Sequence, residues 1–234
     1  MNKKRNNTDF ENKPIPKRIK PIPMAIGPDI LFKEINKINK SSYRNRWDLT
    51  VFSSFMYLTG ARISEAINVK RKHLEIRNNN LFVVNLKTLK SRVYPIRQLP
   101  IAPIKTDKPF FELFSTYLEE NYFEEDDFIF PFQSRFNVFY RLRKIKINKL
   151  LQLDPKQKKW IEEDFRIHPH YLRHCRLSHL ASIFDFNEIQ LMKFAGWSST
   201  KPTIFYVKLS YQDILKKMIQ PSIVSEYFEQ FLGG

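Results

Sequence analysis

The 234-residue sequence predicts a mostly α-helical domain carrying a small antiparallel β-sheet. Three observations point there. After Gly27, apolar residues recur at three- and four-residue spacing in several separate segments, the period of helices with one buried face. Around residues 81–96, two runs rich in Val, Leu and Ile bracket a polar turn, the pattern of a hairpin. Before Gly27 the chain is basic and proline-punctuated, which suits neither helix nor central strand.

Residues 1–26 therefore read as an N-terminal arm, extended without a partner, and residues 27–234 as the folded domain. In the arm, Lys3, Lys4, Arg5, Lys13, Lys17, Arg18 and Lys20 alternate with Pro14, Pro16, Pro21 and Pro23. It either tracks phosphates or is a solvated tail. Pro28 suits a first helical turn, and Ile30, Leu31, Ile35 and Ile38 share a face through about Asn39. Trp47, Val51, Phe52, Phe55, Met56 and Leu58 form a second, strongly apolar helix stopped at Gly60. The hairpin is expected over Leu81–Leu86 and Arg92–Ile96. Helices follow over Phe110–Asn121 and Ser134–Leu151, the latter basic through Arg141, Arg143, Lys144, Lys146 and Lys149. Pro169 opens a helix to about Phe184, and Asn187 with Gln190 forms a capping box for the next, which ends at Gly196. A short helix carries Tyr206, and a final amphipathic one lies near Gln212–Phe231.

Hydrophobic residues make up 42% of the chain and Phe occurs 21 times, enough for a substantial core. Forty Lys+Arg against 24 Asp+Glu leave a formal charge of +16, which calls for a polyanionic partner. Nucleic acid is favoured over a membrane surface, because no apolar run approaches the roughly 18–20 residues a span needs and no secretory signal precedes Met24. The single cysteine, Cys175, excludes an internal disulfide and a multi-cysteine zinc site, and is compatible with a reducing cytoplasm.

Three clusters carry chemistry. Thr59-Gly60-Ala61-Arg62-Ile63-Ser64-Glu65 places an arginine where a buried helix breaks at a glycine, and arginine suits bidentate phosphate binding. The competing reading is a surface arginine paired to Glu65. In Pro169-His170-Tyr171-Leu172-Arg173-His174, His170 and Arg173 share a helix face, one able to move a proton and the other to neutralise phosphate oxygens. Four of the five histidines lie between His168 and His179, a density that would suit a metal site. Leu172-Arg173 lacks the glutamate of a zinc-protease helix and puts a cation beside the would-be ligands, so no metal is expected. Gly196-Trp197 and Tyr206, nine positions beyond Trp197, supply an indole donor and a phenol that nearby cations can activate as a nucleophile. Core packing is the alternative for either ring alone.

In order and spacing these clusters resemble the tyrosine recombinase (phage integrase) family. The resemblance covers roughly residues 27–234 and implies a DNA breaking-rejoining catalytic domain with Arg62, a hairpin lysine, His170, Arg173, Trp197 and Tyr206 as its catalytic set. Lys87, ending the first strand, is the expected lysine, and Lys90, nearer the tip, the alternative. The implied chemistry is attack of Tyr206 on a DNA phosphate, giving a 3′-phosphotyrosyl intermediate with neither metal nor ATP. Lys90, Arg92, Arg141, Arg143 and Lys144 are expected to hold DNA backbone. The implied partners are double-stranded DNA and further copies of the chain, as a tetramer joined through the C-terminal helix. The implied location is the cytoplasm, at the nucleoid. Two departures stand out. Trp197 occupies a position where most bacterial members have histidine, and the arm is too short to fold into the family's N-terminal core-binding domain. Two other functions remain open: a monomeric type IB topoisomerase-like enzyme, and a non-catalytic DNA-binding accessory protein on the same fold.

Overall fold

Eleven consecutive residues of one helix, Leu49 to Thr59, are buried, and the rest of the domain is arranged around them. The computed structural model describes residues 25–40, 46–77, 81–87, 96–132, 134–143 and 167–207. Its helices are α1 (Pro28–Asn36), α2 (Arg46–Thr59), α3 (Ile63–Ala66), α4 (Lys108–Glu120), α5 (Arg135–Arg143), α6 (Pro169–Ser182) and α7 (Glu188–Ala195). Three strands, β1 (Leu74–Ile76), β2 (Phe82–Lys87) and β3 (Ile96–Ile101), form one antiparallel sheet in the order β1-β2-β3.

The central helix α2 packs against α1, α4, α6 and the strand β3. It carries apolar residues on every side because it has neighbours on every side. Phe52 meets Phe130 edge-on with ring centroids 5.0 Å apart, and Phe55 meets Phe114 at 5.2 Å. Two of its buried hydroxyls are satisfied within the helix: Ser53 and Thr59 donate to the carbonyls of Leu49 and Phe55. The helix ends at Gly60, whose φ of +56° lies in the left-handed region. A Cβ there would stand 3.0 Å from the Phe194 ring, so glycine serves both the turn and the close approach of α7.

Buried polar groups tie the start of the domain to α6. The Ile26 amide donates to the Tyr171 hydroxyl, and the Ile26 carbonyl accepts from His179 Nε2. Tyr57 then donates to His179 Nδ1, which fixes the neutral tautomer. Burial pushes His179 down to about 4, in keeping with a ring that stays uncharged. Arg176 pairs with the buried Asp107 at 2.7 Å.

Most expected elements are found within a few residues of their expected bounds. The sheet differs. The second strand of the hairpin was expected over Arg92–Ile96; the described strand begins at Ile96 and runs to Ile101, with residues 92–95 outside the described set. Lys87 pairs with Ile96, and Phe82 with Ile101. Pro100 is tolerated because β3 is an edge strand whose missing N–H breaks no inner ladder. The strand β1 was not anticipated. Tyr206 lies just beyond a 3₁₀ turn, Lys201–Phe205, rather than within a helix. Residues 1–24 of the arm, the hairpin tip with Lys90 and Arg92, the basic stretch from Lys144 and the expected helix near Gln212–Phe231 all lie outside the described residues.

Candidate active site

Arg62, His170, Arg173, Trp197 and Tyr206 line one open cleft of roughly 280 Å³, together with Ala61, Ile63 and Pro169. Residues up to 144 positions apart in sequence, Arg62 and Tyr206, thus come to one place. Each is set there by a local device.

Arg62 is the residue immediately before α3, held by the turn that follows Gly60. Its backbone N–H donates to Glu65 Oε2 and its Nη1 to Glu65 Oε1, both at 2.8 Å. The ion pair that competed with a phosphate-binding role is therefore present, yet 40% of the Arg62 side chain stays exposed and faces the cleft. Glu65 holds one edge of the guanidinium and leaves the rest open to the cleft.

Arg173 belongs to α6 and is buried. It donates from Nη1 to the Gly60 carbonyl and from Nη2 to the Ala195 carbonyl, 2.8 Å away. It thus bridges the end of α2 to the end of α7, whose free carbonyls favour a cation. Burial, then the neighbouring charges of Arg97 and Arg62, push Arg173 down to about 9. A buried cation in that position gains from an incoming anion.

His170, one turn before Arg173, stands exposed at the mouth of the cleft. Partial desolvation of the ring, then Arg173 and Arg62, holds it below the ordinary histidine value. At neutral pH it is a neutral imidazole, a proton acceptor. Pro169 at the first helical turn and His168, whose Nδ1 accepts from the Tyr171 amide, start α6 at the point that presents His170 and Arg173 together.

Trp197 follows Gly196, the left-handed cap of α7 with φ +66°. Its ring lies 5.6 Å from the Arg173 guanidinium carbon and 5.8 Å from the Tyr206 ring, nearly parallel to the latter at 29°. His174, buried on α6, meets Tyr206 at 5.4 Å. The half-buried phenol of Tyr206 is raised above its ordinary value by desolvation, and Arg173 works in the opposite direction.

Lys87 is not brought into this cleft. It is exposed at the end of β2 and lines a separate cavity with Ser64, Glu65, Asn68, His73 and Asn85. Arg141 lies half-buried on α5, away from the cleft lining; Arg143 closes that helix. Two residues that local sequence patterns did not single out as functional are wired into the site. Glu65 accepts from both Arg62 and Arg97, and Arg97 also donates to the Phe194 carbonyl. The available signal was a charge in phase with Leu99 and Ile101 on an alternating strand. Among the described residues, no three His, Cys, Asp or Glu side chains converge as metal ligands, and no helix is long and apolar enough to cross a membrane.

The family model described as "Phage integrase family" matches residues 29–213, most of the chain. The chain belongs to the phage integrase family. Solved structures share its fold. The XerH site-specific recombinase bound to difH substrate aligns with TM-score 0.59 and 15% identity over 91% of this chain. The Tn1549 transposon integrase in complex with transposon right end DNA gives 0.60 and 16% over 88%, and the catalytic domain of bacteriophage HP1 integrase 0.53 and 15% over 86%. This chain spans 58% of the XerH chain, 68% of the Tn1549 integrase chain and 97% of the HP1 catalytic domain. No curated protein matches it. At these identities the structural likeness concerns the fold: a helical domain with a small three-stranded sheet.

Proposed function

We propose that this integrase-family chain cuts and rejoins DNA through Tyr206, as a site-specific recombinase. The observation that carries the reading is that Tyr206 opens into the same cleft as two arginines and a neutral histidine, with its ring against Trp197. Binding alone needs no nucleophile placed among cations. The similar XerH recombinase and Tn1549 integrase structures are complexes with DNA, which agrees with duplex DNA as the partner.

In the proposed reaction Arg62 and Arg173 bind the non-bridging oxygens of the scissile phosphate, and the Trp197 indole N–H donates to one of them. The charge that builds on those oxygens in the pentavalent transition state is met by fixed donors. His170 takes the phenolic proton as the Tyr206 oxygen forms its bond to phosphorus. The bond to the 5′ oxygen breaks, Lys87 protonates that oxygen, and a 3′-phosphotyrosyl link remains. One phosphoester replaces another, so the sequence of bonds needs neither ATP nor a metal. Attack by a 5′-hydroxyl of another duplex reverses the step and gives strand exchange. The positive charge of the chain, with Lys90, Arg92, Arg141, Arg143 and Lys144 among its cations, holds the duplex backbone. Copies assemble on DNA as a tetramer through the segment after Tyr206.

The test is a nicked suicide duplex, from which the cleaved product cannot be religated. The reading expects a covalent protein–DNA adduct whose modified peptide contains Tyr206, formed equally well in excess EDTA. No adduct would leave a non-catalytic DNA-binding protein. An adduct together with plasmid relaxation but no exchange between two duplexes would leave a topoisomerase-like enzyme.

A further inference from the structure

Arg97 stands on the core face of β3, in phase with the buried Leu99 and Ile101, and its side chain is 2% exposed. A guanidinium sealed into a core is expensive to desolvate, and an apolar residue of similar size would serve packing as well or better. The cost points to a role in charge placement. Its Nη2 donates to Glu65 Oε2 and its Nη1 to the Phe194 carbonyl.

Glu65, also 2% exposed at its side chain, is the shared partner. Oε1 accepts from Arg62 Nη1, while Oε2 accepts from the Arg62 backbone N–H and from Arg97. Without Arg97, the full negative charge of Glu65 would act on Arg62 alone, in a setting with little solvent to screen it. With Arg97 present, the buried pair is neutral as a unit. Arg62 then keeps both its net charge and its outward N–H groups for the cleft. The second contact works at the other side of the site. Arg97 holds the Phe194 carbonyl and Arg173 the next one, that of Ala195, so two arginines grip the end of α7 from which Gly196 and Trp197 emerge.

We propose that Arg97 is a positioning residue for phosphate binding: by neutralising Glu65 it frees Arg62 for the scissile phosphate, and by holding the end of α7 it fixes Trp197. It touches neither DNA nor the reacting atoms. The proposal rests on the reading of the cleft as a DNA-cleaving site. Because β3 is paired to β2 with Lys87 opposite Ile96, the next residue along from Arg97, the same strand borders the hairpin lysine.

The experiment compares wild type, Arg97→Lys, Arg97→Met and the double variant Arg97→Met/Glu65→Gln, in single-turnover adduct formation on a pre-bound suicide duplex. Arg97→Met should slow cleavage by about tenfold or more with an unchanged dissociation constant for DNA, the scale of an indirect coupling through one buried pair. Arg97→Lys keeps the charge and should stay within about threefold of wild type. Removing the Glu65 charge in the double variant should recover the part of that loss that comes through Arg62, leaving the part that comes from the released end of α7. A purely structural arginine predicts the reverse, with the double variant no better than the single one and lysine no better than methionine; either result overturns the proposal. A second measurement needs no cleavage: labelling of Arg62 by phenylglyoxal in the DNA-free protein, read by peptide mass. Arg62 should react more slowly in Arg97→Met than in wild type and recover in the double variant; equal labelling in all of them overturns the charge argument. If wild type forms no adduct, the functional reading fails, while the labelling result still decides the pairing. If Arg97→Met does not fold, the Arg97→Lys cleavage rate decides: a tenfold loss overturns the proposal, near-wild-type cleavage supports it.

Discussion

The ring of Tyr206 lies 5.8 Å from that of Trp197 and within 29° of parallel, so the candidate nucleophile is positioned by the residue expected to bind the phosphate. The two roles of Trp197, stacking and N–H donation, can be separated. Trp197→Phe keeps an aromatic face and loses the donor; adduct formation on the suicide duplex should fall by about 10². Trp197→Ala loses both and should fall further. Tyr206→Phe should form no adduct while binding DNA as wild type does. Cleavage by Tyr206→Phe, or an adduct mapped to Tyr211, would move the nucleophile elsewhere.

Arg62 and Arg173 should behave alike in catalysis and differently in stability. Each is expected to slow cleavage by about 10²–10³ when replaced by alanine. Arg62 is part-exposed, and its loss leaves Glu65 paired to Arg97, so the melting temperature should barely move. Arg173 is buried, and its loss strands the Gly60 and Ala195 carbonyls at two helix ends. Arg173→Ala should cost about 3 kcal/mol in chemical denaturation. Equal stability losses in the two variants would contradict the placement of Arg173 as a bridge between α2 and α7.

This contrast also marks what could be read from the chain. The run from Trp47 to Gly60 announced α2 and its stop, because a helix buried all round is apolar all round and glycine adopts the left-handed turn. His170 and Arg173 were legible from their spacing on one helix, and Asn187 with Gln190 from capping chemistry. Arg97 was not legible. Its partner Glu65 lies 32 positions away, and no local period encodes a contact of that range. Pro95 and Pro100 also flank it, and proline is out of place in most strand interiors, which obscures the alternation that puts this charge on the core face. Lys87 was legible as the end of a strand, while its distance from the cleft depends on a hairpin geometry that spacing does not specify.

His170 gives the pH dependence its sign. Partial desolvation and the cations Arg173 and Arg62 depress its pKa, so the neutral, proton-accepting form persists below the usual histidine midpoint of 6.5 and is lost only at lower pH. Cleavage should therefore hold at neutral pH and fall on acidification through a midpoint below 6.5. In an NMR titration of ¹³C-labelled histidine, the His170 midpoint should lie under 6.5 and rise in Arg62→Gln, which removes one of the depressing charges. A midpoint at or above 6.5 would show that His170 does not sense the two arginines. His170→Gln should lower the cleavage rate by about 10² or more and remove the acid limb of the profile.

Lys87 poses the last problem, since it lines a cavity separate from the cleft that holds Tyr206. Protonation matters in proportion to the basicity of the leaving group. A duplex with sulfur at the 5′-bridging position expels a thiolate, which needs little help. Lys87→Ala should therefore cleave the ordinary duplex about 10² more slowly and the sulfur-bridged duplex at nearly the wild-type rate. Tyr206→Phe should cleave neither, and Arg173→Ala should gain nothing from sulfur, because its task is to hold non-bridging oxygens. Lys90 supplies the control within the same hairpin. If sulfur rescues Lys90→Ala and not Lys87→Ala, the acid is Lys90.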